Sequence, residues 1–368
     1  FLNAYRETGF LPKWPSPDER GIMPGTLIDA VFADACAKGI AMNRMDEALE
    51  AMIHGATVQS GDERYGRRGT ADYLEYGYVP SDRYAESVNH TQDYVYSDFC
   101  ISVVAQALGK TQTAETYRRR SGNYRHIFDP AYGLMRGKKT DGSFREPFIP
   151  HEWGYDYCEG SAYQNSFAVY HDIAGLIRLH GGREAFLHRL TELFNMPPIF
   201  RTGSYRQEIH EMSEMAAVEY GQCAISNQPS FHLPYLFAYA GRPDLTQVTI
   251  KQILTRLFGS GFEGYPGDED NGSMAGFYVF GAMGFYPVCP GTDEYVLGIP
   301  LFDRVEIYPP RGKAFTLTTH GNTPQANFVT RKELNGSVYT RLYLRQEDIL
   351  SGGCFDVSLG LVPPVEAP

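Results

Sequence analysis

Between residues 26 and 258, apolar residues recur at the spacing of amphipathic helices. The segments are 26–38, 45–53, 92–108, 111–127, 163–179, 183–194, 205–222, 232–240 and 245–258. Gly39, Gly109, Gly181 and Gly241 fall where helices should stop, as C-terminal capping glycines do, and Asp244 is expected as an N-cap. After Pro290 the period changes to alternation over 304–308, 314–319, 338–344 and 354–359, with turns at Arg311-Gly312 and Asn335-Gly336. A mainly α chain with a small C-terminal β section follows. A solenoid would show a fixed repeat of about 30 to 50 residues, and none is visible. Paired helices joined by long loops therefore predict an (α/α)6 toroid over 1–290, with 291–368 as the β section.

The loops are where chemistry is expected. Segments 60–90 and 135–163 are longer than a simple bundle needs and rich in Gly, Pro, Tyr and acids. An apolar share of 43% supplies a core, and a net charge of -11 with scattered basic residues argues against a nucleic-acid or anionic-membrane surface. The 26 tyrosines include many beside polar residues, which suits sugar stacking and an aromatic core alike. Six widely spaced cysteines, with no CxxC pair, argue against zinc and a disulfide scaffold, and are expected to be mostly buried thiols. No apolar run of about 18 residues spans a membrane. The first residues read as the middle of a helix.

Three polar clusters lie beside helix ends: Tyr157 to Gln164, Glu208 to Glu214 with Ser226 to Ser230 soon after, and the glycine-rich loop holding Asp268 and Asp270. Glycoside hydrolysis needs one carboxyl to protonate the leaving oxygen and a second to activate water or attack the sugar. Glu159 is flanked by glycine and aromatics. It reads either as an acid kept protonated by desolvation or as a helix N-terminal Glu facing the dipole. Asp268 and Asp270 point the same way if their loop is extended, as a poised pair, or else they form a turn before Asn271-Gly272. His210 and Glu211 are neighbours in a predicted helix, so they should face apart and not chelate one metal. Gln164, Asn227, Gln228 and Asp268 offer the oxygen ligands calcium prefers.

Together these segments resemble glycoside hydrolase family 92, calcium-dependent inverting exo-α-mannosidases, from Tyr5-Arg-Glu-Thr-Gly-Phe-Leu-Pro-Lys-Trp14 to Glu347-Asp-Ile-Leu-Ser-Gly-Gly353. The resembling elements include Asp29-Ala-Val-Phe-Ala-Asp34, Cys158-Glu-Gly-Ser-Ala-Tyr-Gln164, Asn227-Gln-Pro-Ser230, Gly267-Asp-Glu-Asp-Asn-Gly272 and Phe285-Tyr-Pro-Val-Cys-Pro-Gly291, in the family's order. The resemblance implies Glu159 as general acid and Asp270 as general base supported by Asp268. It implies Ca2+ on the mannose O2 and O3 hydroxyls, with Gln164, Asn227 and Gln228 as metal ligands. His210 and Glu211 fall where α-1,2-specific members carry a pair contacting the leaving mannose, and Tyr163 is a further substrate contact. Gln228 stands where many members have Glu, Tyr163 and Asn165 replace a more usual Trp and Tyr, and Phe231-His232 replaces a polar pair. The resemblance further implies a preceding N-terminal β-sandwich, α-mannosides of high-mannose N-glycans as substrates, and a secreted or periplasmic location. Mannosyl phosphodiesters, α-1,3 or other linkages, another sugar, and mannose binding without turnover are the alternatives.

Overall fold

The computed structural model describes residues 1–14, 16 and 19–364, so the last four residues of the expected β section lie outside the description. The chain forms two compact units. One comprises Phe1–His180, Ile199–Ser213 and Cys289–Thr292, the other Gly181–Pro198, Glu214–Val288 and Asp293–Pro368.

The first unit is organised around the helix Ser87–Ala107, which buries Val88, Tyr94, Val95, Cys100, Ile101 and Val104. A helix buried on nearly all sides must lie inside a helical body. Ile28–Ala37, Met45–Thr57 and Thr111–Arg120 pack around it. A polar cluster is buried in the same unit. The fully buried Arg67 donates from Nη1 to Asp98 at 2.7 Å, and Tyr73 and Arg120 donate to the other Asp98 oxygen at 2.8 and 3.1 Å. The rings of Tyr73 and Tyr94 lie 5.8 and 5.0 Å from the Arg67 guanidinium carbon.

Asp29 is buried in this unit, held by Thr26 Oγ1 at 3.2 Å, and burial pushes its pKa up to about 7 despite the pull of Arg67. The unfolded chain ionises there near pH 3.9 while the native state stays protonated until about 7. Stability contributed by protonated Asp29 is therefore complete below about pH 4 and lost as pH rises to about 7. Asp29→Asn is expected to flatten this slope. Urea midpoints at pH 5 and 7.5 that fall equally in wild type and variant would refute it.

In the second unit, Arg183–Asn195, Pro243–Arg256 and Ser273–Met283 accompany the β section. Its five-stranded sheet runs Arg304–Ile307, Phe315–His320, Gly353–Gly360, Phe328–Leu334, Ser337–Val338, with only the second and third parallel. Alternation buries Phe315 and Leu317 on one strand and Phe355, Val357 and Leu359 on the other, and Phe280 and Met283 of Ser273–Met283 pack on that core. Asn335 and Gly336, at φ 53° and 78°, make the expected hairpin turn.

Several expectations are corrected. Segment 163–179 is broken into Ala162–Asn165, a 3-10 turn Tyr170–Asp172 and Ile173–Leu179. The Gln92 side chain takes the Asn165 carbonyl at 2.7 Å, and Asp172 caps the last piece through Gly175 N–H. Segment 205–222 is helical only over His210–Val218, because Arg206 and Glu219 at φ 61° and 60° bracket it. Segment 232–240 begins as the 3-10 turn Leu233–Tyr235 around Pro234. Asp244 lies in the first turn and pairs with Arg242, the actual N-cap. Thr70–Tyr76 adds a helix inside an expected loop. Segment 338–344 divides between Ser337–Val338 and Tyr343–Arg345, which belong to different sheets. Phe328–Leu334 was missed because Thr330-Arg-Lys-Glu333 reads as surface, although Lys332 is buried and donates to the Arg341 carbonyl at 2.8 Å. Five cysteines are buried free thiols, and Cys354 is exposed. No helix among the described residues is long and apolar enough to cross a membrane.

Candidate active site

Glu159 sits on a strained backbone. It takes φ 44°, and Tyr155 four residues earlier takes φ 56°. Such left-handed non-glycine residues cost about 1–3 kcal/mol each and persist only where neighbours hold them. Here the neighbours are specific: Glu159 N–H donates to the Tyr205 hydroxyl at 2.8 Å, Cys158 N–H to Asn89 Oδ1 at 3.0 Å, and Tyr155 N–H to Ser204 Oγ at 2.7 Å. A Cβ at Gly160 would lie 2.5 Å from Asn165 Nδ2, so a larger residue there would have to displace that amide. The half-buried Glu159 is therefore not the helix N-terminal residue of the alternative reading. The helix begins after Ser161, which is its cap.

The Glu159 side chain borders a cavity of about 510 Å³ lying wholly within the first unit. His210 and Glu211 line it, as does Tyr205. His210 and Glu211 do not face apart as expected: His210 Nε2 lies 3.2 Å from Glu211 Oε1, because the helix starts at His210 and its exposed ring folds back. Glu211 is buried, and its other oxygen, Oε2, is also buried without a hydrogen-bond partner. A buried carboxylate oxygen left unsatisfied on a residue that lines a cavity calls for an explanation, and a functional role is one.

The remaining walls hold groups that the sequence reading did not single out: Lys13, Arg68, Glu86 and His90. Arg68, Glu86 and His90 come from the long 60–90 loop and the helix it enters, the segment flagged for its length and composition. Burial pushes the Glu86 carboxyl up, while hydrogen bonding to Cys158 and the charge of Arg68 pull it down. Burial lowers Lys13, with Arg68 adding to the effect. His90 is driven down to about 3, by burial first and then by Arg68 and Lys13, so it is neutral at physiological pH.

Tyr163 lies on the first turn of Ala162–Asn165 and is not among the residues lining this cavity. Gln164 receives a different task from the one expected. Its carbonyl oxygen accepts from Ser161 N–H at 2.8 Å and Ser161 Oγ–H at 2.6 Å, completing a capping box. Gln164 thus closes the cap of this helix through its carbonyl oxygen.

The Asp268 loop belongs to the second unit. It is not extended through Asp270, because Asp270, Asn271 and Gly272 all take positive φ, at 50°, 55° and 93°. Glu269 caps the following helix, accepting from Gly272 N–H at 2.7 Å and Ala275 N–H at 3.3 Å. Asp268 is exposed, and Asp270 is half-buried and accepts from Gln228 Nε2 at 2.7 Å. Asn227 Oδ1 accepts from Gln228 N–H at 2.9 Å. A Cβ on Gly267 would run into the Ser226 carbonyl oxygen and lie 2.9 Å from Glu214 Oε2. The bare glycine thus lets the loop close onto Ser226, and carboxylate oxygens of Glu214 and Asp268, of the kind hard cations bind, lie within 4.8 Å of each other. The donor chemistry of Asn227, Gln228, Asp268 and Glu214 fits calcium.

The sequence model described as the glycosyl hydrolase family 92 catalytic domain matches residues 1–361. In structure, the chain resembles a family 92 inverting mannosidase from Bacteroides thetaiotaomicron at 40% identity and TM-score 0.89, covering 98% of this chain and 49% of that one. It also resembles a family 92 α-mannosidase from the same organism at 31% identity and TM-score 0.87, covering 98% and 46%. A relative from Arthroderma benhamiae named as an uncharacterized secreted glycosidase is 31% identical over 98% of this chain and 48% of its own length. The chain spans about half the length of each of these relatives.

Proposed function

This chain belongs to glycosyl hydrolase family 92, and from that membership we propose that it forms the helical catalytic part of an exo-acting α-mannosidase. The reaction is release of terminal α-1,2-linked mannose with inversion. The observation that carries this reading is the cavity that collects Glu159 with the His210–Glu211 pair. Two of the similar structures are named as mannosidases, one of them inverting, which supports the substrate class.

Glu159 acts as general acid, protonating the glycosidic oxygen as the bond breaks. Asp270, tethered by the Gln228 amide and supported by Asp268, takes a proton from the water that attacks the opposite face of the sugar. The product is β-mannose. Inversion needs the acid and base carboxyls about 6.5–9.5 Å apart, to leave room for that water. His210 and Glu211 hold the leaving mannose. Asn227, Gln228 and Asp268 would hold Ca2+, whose charge when bound grips the O2 and O3 hydroxyls and favours a distorted ring. The helices belong to an (α/α)6 toroid that works with an N-terminal β-sandwich of the same polypeptide. The enzyme is secreted or periplasmic and acts on high-mannose N-glycans.

Hydrolysis of α-1,2-mannobiose by the full-length enzyme, followed by proton NMR with and without a calcium chelator, tests the reading. Early β-mannose that disappears on chelation is the expected result. Early α-mannose would overturn inversion, and cleavage of mannosyl phosphodiesters or other linkages alone would overturn the α-1,2 assignment.

A further inference from the structure

Arg68 borders the cavity that holds Glu159, yet the mechanism above does not use it. Its main chain is fixed on several sides. Tyr94 donates its hydroxyl proton to the Arg68 carbonyl at 3.0 Å, and Arg67 before it is clamped on Asp98. Gly69 after it takes φ 68°, where a Cβ would lie 2.9 Å from the Tyr84 ring. The side chain has no comparable restraint. Nε is buried without a hydrogen-bond partner, and the guanidinium makes no ion pair among the described residues. A guanidinium carries only donors and does not give up its proton, so such a group costs free energy until oxygens meet it.

The neighbouring wall supplies the complementary atoms. His90 Nδ1 lies 3.2 Å from the Tyr94 hydroxyl, whose single proton is committed to the Arg68 carbonyl. With the Tyr94 proton on that carbonyl, Nδ1 carries the ring hydrogen and Nε2 is the bare nitrogen, and Nε2 is also buried without a partner. Glu211, another lining residue, holds a third such atom, Oε2. A guanidinium on a wall that also carries Glu86 and Glu211 suits a neutral polyol, whose hydroxyl oxygens accept. An anion would meet Glu86, Glu211 and the lone pair of His90.

We propose that Arg68 is a sugar-binding residue that donates hydrogen bonds to oxygens of the glycan in this cavity. The proposal rests on the mannosidase reading and extends it to a residue outside the Glu159, His210 and Glu211 set. In the full-length enzyme, Arg68→Met is expected to raise KM for α-1,2-mannobiose about tenfold or more, as loss of a charged hydrogen bond does, while kcat changes less. Arg68→Lys should recover part of the loss, because the charge returns without the fork. The thermal midpoint of each variant should match wild type. An unchanged KM in Arg68→Met would overturn the proposal, showing a guanidinium satisfied by water alone. If wild type cleaves no mannoside, the mannosidase reading falls by itself. Calorimetry with mannose then decides Arg68: weaker binding by the variant supports the role, and equal binding overturns it.

Discussion

Glu159→Gln in the full-length enzyme is expected to lower kcat on α-1,2-mannobiose by about 10²–10⁴-fold, the contribution of a positioned general acid, while sparing aryl α-mannosides whose leaving groups need no proton. The substitution keeps size and shape and removes only the transferable proton. The contacts that set the strained backbone are made by the main chain, Glu159 N–H to Tyr205 and Cys158 N–H to Asn89, so they survive the change. A plot of rate against leaving-group pKa should therefore steepen in the variant and remain shallow in wild type. Equal losses on good and poor leaving groups would remove Glu159 from the acid role and point to a binding defect. Tyr205→Phe provides a contrast. It removes the acceptor for Glu159 N–H, frees the φ 44° backbone to relax, and should reduce activity on both substrate classes together.

Local signals were legible where they involve one stretch of chain. Gly39, Gly109, Gly181 and Gly241 take φ between 68° and 89° at the helix ends they were expected to close, and Asn335-Gly336 makes its turn. The helix at 163–179 was not legible as broken, because the Gln92 amide that captures the Asn165 carbonyl comes from a segment 73 residues away. The same reason hid Tyr205 and Arg68, whose importance arises only when the fold sets them beside Glu159 and His90. The Asp268–Asp270 stretch was ambiguous for a different reason: its residues are both turn formers and candidate catalytic acids. The structure shows the turn at Asp270 and still leaves its carboxylate hydrogen-bonded to Gln228. A glutamate at 228 would place two carboxylates together, whereas the amide donates a hydrogen bond to Asp270. That difference gives the departure at Gln228 a physical reading.

The largest stability effect is expected from Asp98→Asn. Asp98 and Arg67 are fully buried, and the single carboxylate accepts from Arg67, Tyr73 and Arg120. Asparagine offers one acceptor oxygen and no charge, so two guanidinium groups would lose the carboxylate they share. Breaking a buried pair on one side costs about 3–5 kcal/mol. The consequence should reach the cavity, because Tyr94 stacks on Arg67 and its hydroxyl holds both the Arg68 carbonyl and His90 Nδ1. A rise in KM for mannosides is therefore expected together with a lower urea midpoint. The double variant Arg67→Met/Asp98→Leu removes the charge that Asp98→Asn strands, and it should recover much of the lost stability, since apolar replacements of a buried pair are often neutral. It should not recover the KM, because Tyr94 would lose the cation beneath its ring. A single-variant loss below about 1 kcal/mol, the range of an exposed ion pair, would mean that Arg67 is reached by water and that the cluster does not hold the cavity wall in place.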